Sequence, residues 1–551
     1  MLLSAWRSGR RPLVRGAAAL AATALAAALA GCGAGEDTAA AGAPVDGGTL
    51  TYAVDSEPSC LDPHVSPADL TALIGRGVFD SLIAQDGKGG LHPWLAKSWT
   101  ASPDFKSYTF TLRTGVKFHD GTPFDANAVK ANFDHIAAPA TKSLYAVTLL
   151  GPYAGSTVLA PDTVRVDFKR PFSPFLQAAS TTYLGIESPQ ALRQFATSLC
   201  DHLVGSGPFT FAGHVHQQTV TIARNPAYAW APETATHPGP ARLDQVVFRI
   251  VPESATRIGL LTSGQIDAVT AVPPANVKTV EADPALQLVR NPSQGATESL
   301  YLNTARAPFD DVKVRTALQQ AIDVDAAVRG VYFGQYERSW SILSPSTPGY
   351  DPATEHSWGH DPAAANRLLD EAGWTARDAE GYRTKNGQRL SVRWPYTQAQ
   401  ALAQQRGTLA QAIQADARKV GLEIQRPSVQ TGQLFALVEK GDYELADTSW
   451  TRADPDILRG FLTSDNFPIH GENYSRVTDQ QVDSWLNGAA ATLDDGTRRT
   501  AYAQAQQWAL KQAVVVPLFV PSSLVGAKKK VQGLTADPAG FPQFRDAWLA
   551  R

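Results

Sequence analysis

The chain has 551 residues, of which 44% are hydrophobic and 18% charged. This length allows two or three domains with sizeable cores, and the composition is that of a globular protein, which excludes an intrinsically disordered chain. The formal net charge of -3 lacks the basic excess that nucleic-acid binding requires, so no nucleic-acid partner is expected.

The first 31 residues have the pattern of an export signal. Its positive N-terminal region contains four arginines, Arg7, Arg10, Arg11 and Arg15. An apolar stretch at 16–30 follows, shorter than the ~20 residues of a spanning helix and typical of a signal peptide. The stretch ends in Leu-Ala-Gly-Cys at 29–32, which resembles the bacterial lipobox, whose cysteine is acylated and becomes the mature N-terminus. An ordinary cleaved signal with an incidental cysteine is the alternative, and the Arg10-Arg11 pair leaves the export route, general or twin-arginine, open.

The lipobox implies a lipid anchor on Cys32, which would hold the protein at the outer face of the bacterial cytoplasmic membrane. Residues 32–46 are small, polar and rich in Gly and Ala, as in a flexible tether. No later stretch approaches 18 unbroken apolar residues, so no spanning segment is predicted beyond the signal.

Strands and helices alternate along the rest of the chain. The predicted strands, in order, are 48–54, short runs within 95–113, 218–223, 245–251, 390–394 and 514–520. The predicted helices are 126–136, 254–263, 311–332, 362–372, 399–420 and 496–511. Asp125 is the expected N-cap of the first of these helices, and Asp361 precedes Pro362 at the start of the fourth. The alternation indicates an α/β fold without internal repeats.

Two cysteines remain after Cys32, namely Cys60 and Cys200. Disulfides persist outside the cytoplasm, and an even count favours pairing, so a Cys60–Cys200 disulfide is predicted. Two buried thiols are the alternative.

The most specific motif runs from Pro93 to Phe124 and contains PWLAKSW, SPDFKSYTFTLR and VKFHDGTPF. Shorter matches surround it in chain order: LDPH at 61–64, GSGPF at 205–209, LTSGQID at 261–267, LNT at 302–304 and GDYEL at 441–445. Together these segments resemble the family 5 extracellular solute-binding proteins, the peptide/nickel/opine group of ABC importer receptors. The resemblance covers roughly residues 47–525.

The resemblance implies a two-lobed α/β fold of the type II periplasmic-binding-protein class, in its three-domain peptide-binding variant. The first lobe would comprise residues 47–80, 203–293 and 522–551. An extra domain packed on it would comprise 81–202, and the second lobe would comprise 294–521. The chain would cross between the lobes near 293 and 521, and these crossings would act as the hinge that closes over a ligand.

The resemblance also implies a ligand site between the lobes. In peptide-binding relatives an aspartate after a tryptophan in the second lobe meets the ligand ammonium, and Asp454 is the matching residue. Trp450 would form a pocket wall and Arg452 would pair with a carboxylate. Asp454 preceding Pro455 could instead cap a turn.

Four weaker ligand-binding candidates complete the implied site. Ser56 and Glu57 follow the first strand, where relatives contact the ligand backbone. Ser299 and Tyr301 lie just past the first predicted crossing.

The protein is predicted to be the extracytoplasmic component of an ABC importer that captures a small solute. A short peptide is the first candidate for this solute. The partners would be the permease subunits, and the protein would be a monomer. The alternatives within this fold are a sensor lipoprotein and a receptor for oligosaccharides or nickel chelates. Motifs of hydrolases, metalloproteases, P-loop proteins and dinucleotide-binding enzymes are absent, so no catalytic residues are predicted. The pairs His214/His216 and His356/His360 lack a third ligand nearby in sequence, so no metal site and no cofactor are predicted.

Overall fold

A computed structural model describes residues 43–468 and 471–551. The predicted signal peptide, Cys32 and residues up to 42 of the predicted tether lie outside the described residues. Within the described part of the chain, no helix is both long enough and apolar enough to cross a membrane.

A seven-stranded mixed sheet is built only from segments assigned to the first lobe. Its strands, in spatial order, are Leu286–Pro292, Ser522–Lys528, Ala268–Val269, Thr49–Val54, Gln245–Ile250, Thr219–Arg224 and Phe209–Val215. The central strand Thr49–Val54 pairs in parallel with both neighbours, and its residues from Tyr52 to Val54 are buried on both faces, as parallel strands usually are. The helices of this lobe are Asp69–Val78, Ser254–Thr262 and Val277–Ala282.

The extra domain contains a four-stranded antiparallel sheet that includes the family motif. Its strands, in spatial order, are Ala96–Ala101, Ser107–Leu112, Thr163–Phe168 and Tyr153–Ala160, and Ile83–Gln85 pairs separately with Leu91–Pro93. Alternate residues of Ser107–Leu112 are fully buried, so Tyr108 and Phe110 of the motif form core. The helices are Ala126–Ala137, Ala146–Leu150, Phe175–Ala178 and Pro189–Gln194. Asp125 caps the first helix as predicted, since its side chain accepts from the N–H of Ala128.

The second lobe is centred on a three-stranded sheet in the order Leu445–Thr451, Gly295–Leu302 and Val515–Phe519. Smaller sheets join Ala376–Arg377, Arg383–Lys385 and Gln388–Arg389, and pair Ser391–Arg393 with Glu423–Gln425. Its helices are Val312–Ala321, Val324–Tyr332, Pro362–Glu371, Gln398–Leu402, Arg406–Lys419, Thr431–Lys440, Ile457–Leu462, Gln480–Ala490 and Asp495–Lys511.

Two helices that were predicted to be continuous are each divided in the structure of this lobe. The predicted helix 311–332 is two helices, because the chain leaves helical geometry at Ile322 and Asp323 caps a new helix by accepting from Ala326 N–H. The predicted helix 399–420 is also divided, because Gln404 and Gln405 adopt positive φ angles of 48° and 55°. Apolar periodicity continues across the first break, through Leu318, Ala321, Val324 and Val328, so the sequence pattern does not reveal it. The second break falls in the polar run 404–408, through which the predicted helix wrongly continues.

The two chain crossings lie side by side. Pro292 pairs with Ser522 at the end of the first-lobe sheet, and the N–H of Ser293 donates to the carbonyl of Pro521 at 2.9 Å. The strands Gly295–Leu302 and Val515–Phe519 then begin the second-lobe sheet. Two short chain crossings that lie side by side can bend together, as a hinge between lobes requires. The sheets support the predicted division into domains, whose exact bounds stay a prediction.

The predicted disulfide is present. Cys60 and Cys200 are joined, and the pair links the segment after the first strand to the end of the extra domain.

Candidate functional site

A cavity of about 350 Å³ opens where the two lobes and the extra domain meet. Thr451, Arg452 and Ala453 contribute the second-lobe wall. The other walls come from both remaining domains and include Arg76, Trp94, Tyr145, Tyr183, Tyr228 and Asp537. This volume and mixture of aromatic and charged groups are those of a small-molecule site, for which roughly 300–1,000 Å³ is usual.

Arg452 supplies hydrogen-bond donors to this cavity. Its side chain is only 10% exposed, and its Nε and Nη2 atoms make no hydrogen bond within the described chain. Asp456 lies 3.8 Å from Nη2, but that carboxylate is held by Arg459 at 2.9 Å. A buried guanidinium with unsatisfied N–H groups favours a ligand carboxylate, which accepts two parallel hydrogen bonds.

Trp94 and Arg76 form a second donor group on the same cavity. The guanidinium of Arg76 lies over the Trp94 ring at 5.0 Å from its centroid, a cation–π contact. Arg76 donates to Ser81 Oγ and to the Ser180 carbonyl, whereas the buried Nε1 of Trp94 makes no hydrogen bond in the described residues. Trp94 therefore contributes an aromatic wall to the cavity, with its indole N–H buried near Tyr228.

Asp537 is a carboxylate on the first-lobe wall. It accepts from the N–H of Phe541 at 2.9 Å, which fixes its turn. Burial raises the pKa of Asp537 to about 6, against the lowering influence of this N–H and of Arg76. Burial, together with the charge of Asp537, also raises the pKa of Asp69 to about 6, although Asp69 keeps contact with solvent. A cationic ligand group here would relieve the cost of ionising these carboxylates.

Trp450 lies beside the cavity. Its ring packs against that of Tyr145 of the extra domain, with centroids 5.0 Å apart, and Tyr145 in turn lines the cavity. Trp450 thus supports a wall from behind, and it brings the second lobe into contact with the extra domain.

Asp454 does not line the cavity. It is 7% exposed, accepts from the N–H of Asp456 at 2.7 Å and pairs with Arg498 at 3.2 Å. Both oxygens of this carboxylate already accept hydrogen bonds from the protein. The geometry therefore favours the turn-capping alternative over the predicted amine acceptor.

The four weaker candidates lie away from the cavity. Ser56 is exposed and its hydroxyl donates to Asp55, and Glu57 is bound by His214 at 2.5 Å and by His216 at 3.1 Å. Ser299 and Tyr301 are fully buried in the second-lobe core, where the Tyr301 ring stacks on Phe461. The structure brings Arg452 to the cavity and does not bring these four residues there.

The residues that the sequence analysis missed are Arg76, Trp94, Tyr145 and Asp537. Trp94 belongs to the family motif, in which Tyr108 and Phe110 are core residues, and no local pattern distinguishes it from them. Asp537 begins the run Asp-Pro-Ala-Gly, which predicts only a turn. No local signal separates a turn aspartate from one that faces a ligand.

The comparisons with known proteins agree with this architecture. The model of the bacterial extracellular solute-binding proteins, family 5 (middle region), matches residues 90–466. The glutathione-binding protein GsiB of Salmonella paratyphi A is 29% identical over 511 residues, which cover 91% of this chain and 94% of GsiB.

Two solved structures share the fold along their whole length. NikA of Brucella suis, in complex with Fe(III)-EDTA, gives a TM-score of 0.80 at 25% identity and covers 91% of this chain and 100% of NikA. DppA of Helicobacter pylori, an ABC transporter-associated periplasmic binding protein in complex with the peptide STSA, gives 0.76 at 25% identity, with 92% and 99% covered. The predicted two-lobed α/β fold is confirmed.

The family is one of extracellular solute-binding proteins, and DppA is associated with an ABC transporter, which agrees with the extracytoplasmic solute capture predicted from the sequence. The match spans most of the chain, from the extra domain into the second lobe. The chain therefore belongs to the family 5 bacterial extracellular solute-binding proteins.

Proposed function

We propose that the solute is a short peptide, or a peptide-like compound, that carries both an ammonium and a carboxylate group. The observation that carries this proposal is that a single cavity is lined by a cation of the second lobe, Arg452, and by a carboxylate of the first lobe, Asp537. A ligand with both charges contacts both lobes at once, so it binds the closed arrangement better than the open one.

Arg452 is the proposed partner of the ligand carboxylate. Its unsatisfied Nε and Nη2 atoms are buried, and a buried donor without an acceptor is costly. Trp94 of the extra domain lines the same cavity, and its indole N–H is the proposed second donor. The carboxylate would therefore receive hydrogen bonds from two domains.

Asp537 replaces Asp454 as the proposed acceptor of the ammonium. A buried ammonium requires a paired carboxylate, and Asp537 lines the cavity, whereas Asp454 is held by Arg498. Tyr145, Tyr183 and Tyr228 would enclose the apolar part of the ligand.

The relatives support this solute class. GsiB is named for binding glutathione, and DppA of Helicobacter pylori was solved with a four-residue peptide. NikA of Brucella suis was solved with Fe(III)-EDTA, a chelate rich in carboxylates. Metal chelates and oligosaccharides are thus the competing solutes.

The remaining parts of the function follow the sequence. We propose that the protein is a monomer, anchored by lipid on Cys32 to the outer face of the cytoplasmic membrane, and that closure of the lobes presents the solute to permease subunits. The alternative is that the protein is a sensor, whose closed form is recognised by a signalling receptor instead of a permease.

Thermal unfolding of the purified protein against a panel of solutes tests the proposal. The panel contains short peptides including glutathione, oligosaccharides and nickel with and without a histidine chelator. A ligand that binds only the native state adds ~2.7 kcal/mol to the unfolding free energy at 100 times its dissociation constant. Stabilisation by peptides alone supports the proposal, and stabilisation by sugars or nickel alone replaces the solute class while keeping the fold.

A further inference from the structure

Three ionisable side chains meet in the interior, away from the cavity. Asp62 and His64 follow Cys60 in the chain, and Glu187 belongs to the extra domain. Their exposed fractions are 0%, 0% and 1%. One potential ligand atom from each residue lies within 4.8 Å of the other two.

The tautomer of His64 is set by a backbone carbonyl. Nε2 lies 2.8 Å from the carbonyl oxygen of Gly185, and a carbonyl only accepts, so Nε2 is the protonated nitrogen. In a neutral ring Nδ1 then carries a lone pair. Nδ1 lies 3.7 Å from Oε1 of Glu187, so one acceptor faces another.

No donor within the described chain satisfies these atoms. Asp62 Oδ2, His64 Nδ1 and Glu187 Oε1 are buried and make no hydrogen bond there. Among the described residues, no lysine or arginine pairs with either carboxylate, and His64 is the only basic group in an ion-pair contact with them. Two adjacent carboxylates buried in this way require either a shared proton or a positive charge.

The groups that orient the three side chains are all in place. The second oxygen of Asp62 accepts from the N–H of His64 at 2.7 Å. Asn132 holds the backbone of Glu187 on both sides, because its Oδ1 accepts from Glu187 N–H and its Nδ2 donates to the Glu187 carbonyl. A histidine whose outer N–H donates to a carbonyl, beside anchored carboxylates, is the usual arrangement around a bound metal ion.

We propose that Asp62, His64 and Glu187 bind a divalent transition-metal ion, with Zn²⁺ as the first candidate. One imidazole nitrogen and two carboxylate oxygens are ligands that Zn²⁺ accepts, and its charge of +2 balances the two carboxylates. The 3.7 Å between Nδ1 and Oε1 is close to the ~3.4 Å between two ligands of a tetrahedral zinc site. The ion would be structural, since it would join the segment after Cys60 to the extra domain.

His135 is the nearest candidate for a fourth ligand. Its ring centroid lies 5.6 Å from that of His64, and its buried Nε2 makes no hydrogen bond in the described residues. This site revises the expectation from the sequence that the chain holds no metal.

The competing explanation is a proton shared by Asp62 and Glu187, and metal analysis of the full chain separates the two. The protein is unfolded in denaturant with its disulfide intact, refolded with Zn²⁺ or with EDTA, dialysed, and analysed by mass spectrometry for bound metal. The proposal expects about one ion per chain after refolding with Zn²⁺, and a lower unfolding temperature after refolding with EDTA. Less than a tenth of an ion per chain, with equal unfolding temperatures, overturns the proposal in favour of the proton.

Two variants identify the site. Glu187→Gln introduces a hydrogen-bond donor toward Asp62 and removes one charge, so it should lose the bound ion and the sensitivity to EDTA. Glu57→Gln is the matched control, because Glu57, His214 and His216 form another possible ligand group that hydrogen bonds already satisfy. Loss of the ion in Glu57→Gln but not in Glu187→Gln overturns the assignment, and this result does not depend on whether Glu187→Gln folds fully.

Discussion

The carboxylate of Asp454 lies 3.2 Å from Nη2 of Arg498. Nη1 of the same guanidinium donates to the hydroxyl of Ser173 in the extra domain, and the N–H of Ser173 donates to the carbonyl of Ala490 at 2.8 Å. Arg498 therefore connects a second-lobe turn to the extra domain.

Asp454→Asn should destabilise the protein without changing which end of a ligand is recognised. The side chains of Asp454 and Arg498 are 9% and 13% exposed, and removing one charge from a buried pair leaves the other uncompensated, which costs about 3–5 kcal/mol. Urea unfolding measures this loss. Asp465→Asn is the control, since Asp465 is 50% exposed in its pair with Arg170, and an exposed pair contributes less than about 1 kcal/mol. A ligand preference for free amines that disappears in Asp454→Asn would restore the amine-acceptor hypothesis.

Arg452→Gln should weaken binding of peptides with a free carboxylate. Hydrogen bonds to charged groups contribute about 1.5–3 kcal/mol, so the dissociation constant should rise about 10- to 100-fold. Calorimetric titration with a peptide and its C-terminal amide provides the readout, because the amide should lose little further affinity in the variant. Arg170→Gln, at an exposed arginine, serves as the control and should bind both forms like the wild type.

Binding of free-amine peptides should weaken as the pH falls through about 6. Burial raises the pKa of Asp537 to about 6, and only the ionised carboxylate pairs with an ammonium, so below this pH protonation competes with the ligand. Affinity should fall up to about tenfold per pH unit there. The pH dependence of affinity should disappear in Asp537→Asn and with N-acetylated peptides. Only the contribution of Asp69 should remain, because burial raises the pKa of this residue to about 6 as well.

In the ligand-free protein, the pH affects stability in the direction opposite to its effect on ligand affinity. A carboxylate whose folded pKa is raised binds more protons folded than unfolded, so its contribution to stability falls as the pH rises from about 4 to about 6. Asp537→Asn should therefore unfold at the same or a higher temperature than the wild type at pH 7 while losing affinity. A variant that unfolds at a clearly lower temperature would assign Asp537 a structural role.

Replacing both Cys60 and Cys200 by alanine should cost about 2–5 kcal/mol, because the disulfide closes a long loop in the unfolded chain. The two residues are 140 apart in sequence. Denaturant unfolding of the variant and of the reduced wild type should give the same loss, and an unchanged midpoint in both would contradict the pairing.

Much of the fold could be predicted from the sequence, because long motifs such as 93–124 carry it through local patterns and resemblance. Alternation in Ser107–Leu112 and capping at Asp125 are local signals, and both are confirmed. The break at Ile322 has only the capping residue Asp323 as its signal, and no side chain caps the helix that begins after Gln404 and Gln405.

The candidate site was only partly predictable, because its contacts join distant residues. Arg452 was predicted and lines the cavity, but the pairing of Asp454 depends on Arg498, 44 residues away. The approach of Asp62 to Glu187 likewise depends on packing of the extra domain against the first lobe. Side chains that meet only through such packing are invisible to motif spacing.

Charge recognition at both ends of the solute is tested most directly by calorimetric titration of the wild-type protein with four forms of one short peptide. The forms are the free peptide, the N-acetylated peptide, the C-terminal amide and the doubly blocked peptide. We expect the free peptide to bind tightest and each block to weaken binding about 10- to 100-fold. Equal binding of the free and doubly blocked peptides would contradict the opposed roles of Arg452 and Asp537.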